Sequence, residues 1–333
     1  MAIVHDKPIE DFWNWWTAAG RAAAEAGMRD CAFGAFDGEM NARVEAIHAD
    51  LAWELMPGRQ AEHALVVTAA GVPGRRRIAE RWFRDAPPAD ETWEYHPARQ
   101  PCLSSRMVMA DLNGWKLDLR KLRFDLQADG DLLDIVVFHP RFAAMPPEAC
   151  NHMGFLALDW ALGEDDVTRW IGGVGTTSKR PAAGVPASGL IEAVQALARR
   201  AGVPRWAQMQ GERDGAVVLA SLALPANWVD HPLLDLHIAV ALPFAEQTQA
   251  GLPGPAAIDQ LRDFEDRLTN SLPPHVRFLA HETTRGTRTF HLYGDSDDPT
   301  LAEQVRDLAS GWPRATVRPG LDAGWRAIRH LTG

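Results

Sequence analysis

The sequence predicts an α+β protein of two domains, each an antiparallel or mixed sheet with helices on one face. Three observations predict it. The order helix, strand, strand, helix, strand occurs twice, over residues 39–96 and again over 256–319. In both copies, short runs of apolar alternation, the mark of half-buried strands, separate segments with apolar residues three and four apart, the mark of one-sided helices. Between the copies lies TTSKRPAAGVPAS, residues 176–188, which has two Pro, one Gly and no large apolar side chain except Val185. Such a composition reads as a linker. The expected domains are 1–178 and 188–333, joined by 179–187.

A first helix starts near Asp6-Lys7-Pro8, where Asp6 is a good cap and Pro8 suits the first turn. Phe12, Trp13 and Trp16 share one face, and Ala19, Ala23 and Ala24 continue it with small side chains. A second helix spans 39–50, with Asp37 as its cap and Val44, Ile47, His48 and Leu51 on one side. Strands 51–56 and 63–69 follow across Pro57-Gly58. Helix 73–84 opens on Pro73, holds Ile78 and Trp82 one turn apart, and shows Arg75, Arg76 and Arg77 as a solvated face. Strand 92–96 ends the first copy. A connector over 97–106 leads to strands 115–119, 122–127 and 132–139, the last two turning at Ala128-Asp129-Gly130. Strand 132–139 is the candidate to complete the first set. A helix from Pro146 to Leu162 and a short helix Glu164–Trp170 follow, and Gly172-Gly173-Val174-Gly175 reads as a turn.

Beyond the linker, helix 188–201 stops at Gly202. Strands 205–212 and 216–223 meet at Arg213-Asp214-Gly215 as a hairpin. Strand 233–242, helix 256–271, hairpin 276–283 and 287–293, helix 298–311 and strand 314–319 then run βαββαβ, the ferredoxin-like order. A last helix carries Trp325 and Ile328.

The formal net charge of −10 disfavours a large non-specific nucleic-acid footprint, which needs clustered Lys and Arg. It suits a basic protein partner and also keeps a protein soluble. Thirteen Trp against two Tyr point to aromatic core packing. Three cysteines without CxxC spacing fit a reducing compartment. No apolar run approaches ~18 residues, so no membrane segment is expected. Together with an N-terminus that lacks a signal-peptide pattern, this reads as a cytoplasmic protein.

No GxSxG, HExxH, Walker or dinucleotide fingerprint occurs, so neither a cofactor nor a metal is expected. One face nevertheless gathers polar groups. In strand 233–242 the apolar set Leu234, Leu236, Ile238, Val240 and Leu242 alternates with Asp235 and His237. In strand 287–293, Phe290 and Leu292 alternate with Thr289, His291 and Tyr293. The two strands are neighbours in a ferredoxin-like sheet. Asp235, His237, Thr289, His291 and Tyr293 therefore form the candidate surface site. Two His and an Asp have the chemistry of metal ligands or acid–base groups, but packing or a partner surface is the expected use of the face. The acidic clusters Glu164-Asp165-Asp166 and Asp295-Ser296-Asp297-Asp298 precede helices and read as caps.

Several motifs carry a family resemblance. They are RWAQMQGERDGAVVLASLAL, LLDLHIAVALPF, GLPGP, TTRGTRTFHLYG and the terminal DAGWRAIRHL. Together they resemble the bacterial "domain of unknown function 695" family. The N-terminal motifs IEDFWNWW, LAWEL, HALVVTAAG, WEYHPAR, GWKLDL and FLALDWALGEDDVTRWIG resemble a domain often found with it. The resemblance implies a fold and no assigned activity. By fold-level analogy it points toward a regulator that inhibits ribonuclease E and toward toxin-neutralising modules. The expected function is a non-enzymatic protein-binding or regulatory module that neutralises or modulates a basic partner, such as a toxin or an RNA-processing enzyme. The alternative is a hydrolase or nuclease using His residues on the open sheet face. The two separate on whether His237, His291 and Tyr293 meet in a solvent-open cleft.

Overall fold

The structure, a computed structural model, describes residues 6–102, 109–112 and 114–332. The fold is α+β, and the chain divides into two compact units, His5–Ala201 and Gly202–Gly333.

The first unit opens with α1 (Asp6–Trp15), a π-turn (Trp16–Gly20), α2 (Arg21–Asp30) and α3 (Ala35–Ile47). A small sheet follows, built from β1 (Ala52–Pro57), β2 (His63–Thr68) and, after α4 (Pro73–Arg84), β3 (Trp93–His96). β1 and β2 are antiparallel, whereas β2 and β3 are parallel, so β2-α4-β3 is a crossover unit. Aromatic side chains hold helices to sheet: Ile9, Phe12, Trp13 and Trp16 share a core with Trp82, Trp93 and Tyr95. Buried indoles need acceptors. Trp13 Nε1 donates to the Trp82 carbonyl at 2.8 Å, Trp16 Nε1 to the Tyr95 hydroxyl at 3.1 Å, and Trp93 Nε1 to Glu25 Oε1 at 2.8 Å.

The same unit continues with β4 (Met109–Leu112) paired to β5 (Trp115–Asp118). The connector expected over 97–106 lies partly outside the described residues. A three-stranded sheet follows in the order β6 (Arg123–Asp129), β7 (Leu132–Phe138), β8 (Ile171–Thr177), with α5 (Pro147–Leu162) and α6 (Glu164–Trp170) between β7 and β8. Strand 132–139 therefore does not complete the first copy; it pairs with β6 and β8 in a sheet of its own.

Local signals misled at three further points. Gly172 and Gly173 lie in β8, which pairs with β7, not in a turn; they are glycines where a Cβ would come within 3.0 Å of Asp134 Oδ1 on the neighbouring strand. Arg76 and Arg77 are buried rather than solvated, and Arg76 grips both oxygens of Asp165 at 3.2 Å. The stretch 179–187 lies within the first unit. Val185 bridges to Phe124, and α7 (Ala187–Ala201) buries Leu190, Val194 and Leu197 in the core that holds Phe124 and Ile135. Pro and small residues mark a loop, but they carry no information about which core the next helix joins.

The second unit is one six-stranded sheet with order β14-β11-β13-β12-β10-β9. Its elements are β9 (Arg205–Arg213), β10 (Ala216–Leu224), β11 (Leu236–Pro243), α8 (Pro255–Ser271), β12 (Arg277–Thr284), β13 (Thr287–Gly294), α9 (Leu301–Ala309) and β14 (Thr316–Leu321). The expected βαββαβ element order is present, and each of its strand pairs is antiparallel. Ile238, Val240, Leu242, Phe290 and Leu292 meet Leu261, Phe264, Leu301 and Val305 of the helices. The two copies thus share a β-α-β crossover but differ in one strand: β11 inserts between β13 and β14, whereas β2 and β3 touch directly. The last helix is a 3-10 turn, Arg326–Leu331, on the sheet face opposite α8 and α9, where Trp325, Ile328 and Leu331 pack against Leu222, Ala280 and Tyr293.

Candidate functional site

Strand alternation places His237 opposite Tyr293 and His291 opposite Ala239 on the face away from α8 and α9. The three side chains meet on that face. His237 Nε2 and His291 Nδ1 share a hydrogen bond of 2.9 Å, their rings stack at 5.2 Å, and the Tyr293 ring lies 5.0 Å from His237. Thr289 continues the same row opposite Ala241 and Glu282. Asp235 does not join them. It precedes β11, and its carboxylate accepts the Ser296 N–H at 3.0 Å and the Ser296 hydroxyl at 2.9 Å. His281 pairs with Phe290, so it points to the helix side and stacks on Phe278.

Residues from the hairpin and the C-terminal turn complete the cluster. Glu282, opposite Thr289, receives Arg213 Nη2 at 2.7 Å and His330 Nε2 at 2.9 Å, and His291 Nε2 stands 3.3 Å away, off the line of a hydrogen bond. Tyr293 donates to Asp322 Oδ2 at 2.7 Å, and Asp322 also accepts the N–H groups of Arg326 and Ala327 at 2.8 Å. Glu282, Arg213, Asp322 and His330 gave no sequence signal. Glu282 would have been found by alternation alone once the hairpin register was known, but the other three arrive from segments that only tertiary packing brings here.

The electrostatics are those of a buried clamp. Burial alone would raise the Glu282 carboxyl, yet neighbouring His291, Arg213 and His330 hold it down at about 2. Burial, reinforced by the adjacent His291 ring, pushes the His237 imidazole down to about 4, against the pull of Asp322. Burial and the Asp322 hydrogen bond both raise the Tyr293 phenol. Acid–base catalysis requires a substrate to reach the proton. Tyr293 is 0% exposed and His291 6%, because the C-terminal turn lies over them. Among the described residues no group of three or more His, Cys, Asp or Glu has a metal-holding arrangement.

The accessible feature of this unit is its edge. β9 pairs with β10 on one side only, and its central residues, Trp206 to Gly211, include no charge and no Pro. Trp206 is 50% exposed, packs with its ring 5.3 Å from that of Phe278 at a tilt of 45°, and with Leu272, Val276 and Phe278 lines a cavity of about 420 Å³. At the other edge, β14 carries Arg318 and Pro319, which discourage strand addition.

Residues 212–327 match the model of a family of unknown function, DUF695. That span runs from the end of β9 into the C-terminal turn and includes Glu282, His291, Tyr293 and Asp322. No curated protein and no solved structure matches the chain. Among the described residues, no helix is long and apolar enough to cross a membrane.

Proposed function

We propose that the chain is a non-enzymatic, cytoplasmic binding protein whose C-terminal unit is a ferredoxin-like module that captures an extended segment of a partner protein as an added strand on β9. The observation that carries this reading is the open β9 edge with its uncharged run WAQMQG. Unpaired N–H and C=O groups on such an edge bind a strand by main-chain hydrogen bonds, and side-chain pockets beside it set the sequence preference. The Trp206 cavity supports an apolar anchor residue on the incoming strand. The net charge of −10 favours a partner basic around that anchor, as a toxin or an RNA-processing enzyme would be. The hydrolase or nuclease reading depended on an open cleft at His237, His291 and Tyr293, and the burial of His291 and Tyr293, with His237 half-buried beside them, favours a structural role instead.

The test is selection of binding peptides from a displayed random library on the full chain, followed by hydrogen exchange. Selected peptides should protect the amides of 205–213 and should lose binding, about tenfold or more, to a Trp206→Lys/Gln208→Lys variant of unchanged melting temperature. Equal binding to the variant, protection confined to other segments, or a concentration-dependent dimer seated on β9 in place of peptide would each overturn the reading.

A further inference from the structure

The first unit contains a cavity of about 540 Å³ that the sequence did not signal. One stripe of α5 supplies Phe155, Leu156 and Asp159, the following α6 supplies Glu164 and Val167, and Arg99 reaches in from the segment after β3. The volume falls in the range of ordinary small-molecule sites, and the mix of apolar wall and few polar groups is typical of them.

The polar groups do not balance. Among the described residues Arg99 faces three carboxylates, and His152 of α5 also stands on the wall: Arg99 Nε lies 2.6 Å from Glu54, and Nη1 lies 3.2 Å from Asp159 and 3.9 Å from Glu164. Glu164, expected to cap α6, is buried instead and fully engaged. It accepts the Thr68 hydroxyl, the Gly71 N–H at 2.8 Å and the Arg99 N–H at 3.2 Å. Asp159 is different. It is 8% exposed, its Oδ2 takes Arg99, and its Oδ1 receives no hydrogen bond among the described residues although the side chain lines the cavity. That oxygen is open to the cavity solvent, where a cation can replace water on it while Oδ2 stays with Arg99. Burial, with the charges of Glu164 and Glu54 adding and that of Arg99 opposing, raises the Asp159 carboxyl to about 7. The second requirement of a ligand site, an exposed apolar contact, is met by Phe155, which is 50% exposed at the cavity wall beside half-buried Leu156 and Val167.

We propose that this cavity binds an organic cation, with an ammonium or guanidinium group on Asp159 Oδ1 and a hydrocarbon body against Phe155, Leu156 and Val167. A carboxylate ligand fits poorly, because Arg99 is already shared among three acids. A neutral ligand would leave the charge imbalance in place. Phe155 adds a ring face for the cation itself.

The test is calorimetric titration of the full chain with 2-phenylethylammonium, the neutral 2-phenylethanol and 3-phenylpropionate. The ammonium should bind at least tenfold more tightly than the alcohol, and the carboxylate should bind least. Binding near pH 7 should release a proton, read as a heat that depends on the ionisation enthalpy of the buffer. Asp159→Asn should weaken the ammonium at least tenfold and abolish proton release. Phe155→Ala, at an exposed position that does not endanger folding, should weaken ammonium and alcohol alike. A parallel arm with N-acetyl-lysine amide and N-acetyl-arginine amide distinguishes a free amine from a basic side chain of a peptide as the source of the cation. Equal affinity for ammonium and alcohol, no binding of any cation, or an Asp159→Asn variant with undiminished affinity would each overturn the proposal.

Discussion

His281 makes the second unit acid-sensitive in a way that can be measured residue by residue. Its ring lies on the helix side, 6.3 Å from Phe278 and 5.9 Å from Phe290, and its Nδ1 is buried without a hydrogen-bond partner. Burial, then the charges of Arg288 and His291, lower it from 6.5 to about 4. A folded-state value below the unfolded one means that the unfolded chain binds the proton more readily. The stability is therefore complete above pH 6.5 and is lost as the pH falls toward 4. Linkage gives a loss of about 2 kcal/mol between pH 7.5 and pH 5 from this one group. The assay is urea unfolding across that window for the wild-type chain and His281→Phe, with the ring titration followed by NMR. The aromatic replacement keeps the packing between Phe278 and Phe290, so stability at pH 7.5 should change by less than about 1.5 kcal/mol. The variant should lose correspondingly less stability at pH 5. A His281 ring titrating at its ordinary value, or a variant with the wild-type pH dependence, would refute the reasoning.

Three further outcomes are expected. Trp16→Ala removes a fully buried indole and strands the Tyr95 hydroxyl, so it should cost about 3–5 kcal/mol in denaturant unfolding, whereas Trp206→Ala at the exposed edge should cost less than about 1 kcal/mol. A fragment ending at residue 201 should melt cooperatively, whereas one ending at residue 178 should not, because the latter lacks the buried face of α7; circular dichroism melts of the two fragments decide it. Asp322→Ala removes the acceptor for two backbone N–H groups and the Tyr293 hydroxyl. It should destabilise by about 1–3 kcal/mol and speed hydrogen exchange across 326–331; unchanged exchange there would mean that the turn is held by Ile328 and Leu331 alone.

Much of the C-terminal fold was legible in single segments. Alternation in LHIAVALP and TRTFHLYG identifies two strands and the face each side chain takes, because a pleated strand admits only two faces. The same alternation puts His237, His291 and Tyr293 on one face, where their rings meet. Asp235 falls outside it: the strand begins at Leu236, one residue later, and the carboxylate is held by Ser296. Alternation also could not show that the face was covered, since Trp325, Ile328 and Leu331 come from a segment about forty residues later in the chain than Tyr293's strand begins. The cavity at Asp159 was invisible for a similar reason. Arg99, Asp159 and Glu164 sit in a connector, a helix and a helix start, and no local pattern links them.

The sequence by itself determined the α+β class, the helix and strand periods, and the βαββαβ order of the second unit, all of which follow from the spacing of apolar side chains along a few turns or pleats. Tertiary structure decided where β11 inserts, which core α7 joins, that a C-terminal turn covers His291 and Tyr293, and that Asp159 stands with Arg99 on the wall of a cavity. Those outcomes depend on side chains far apart in the chain competing for the same buried surface, and that competition leaves no mark within any one segment.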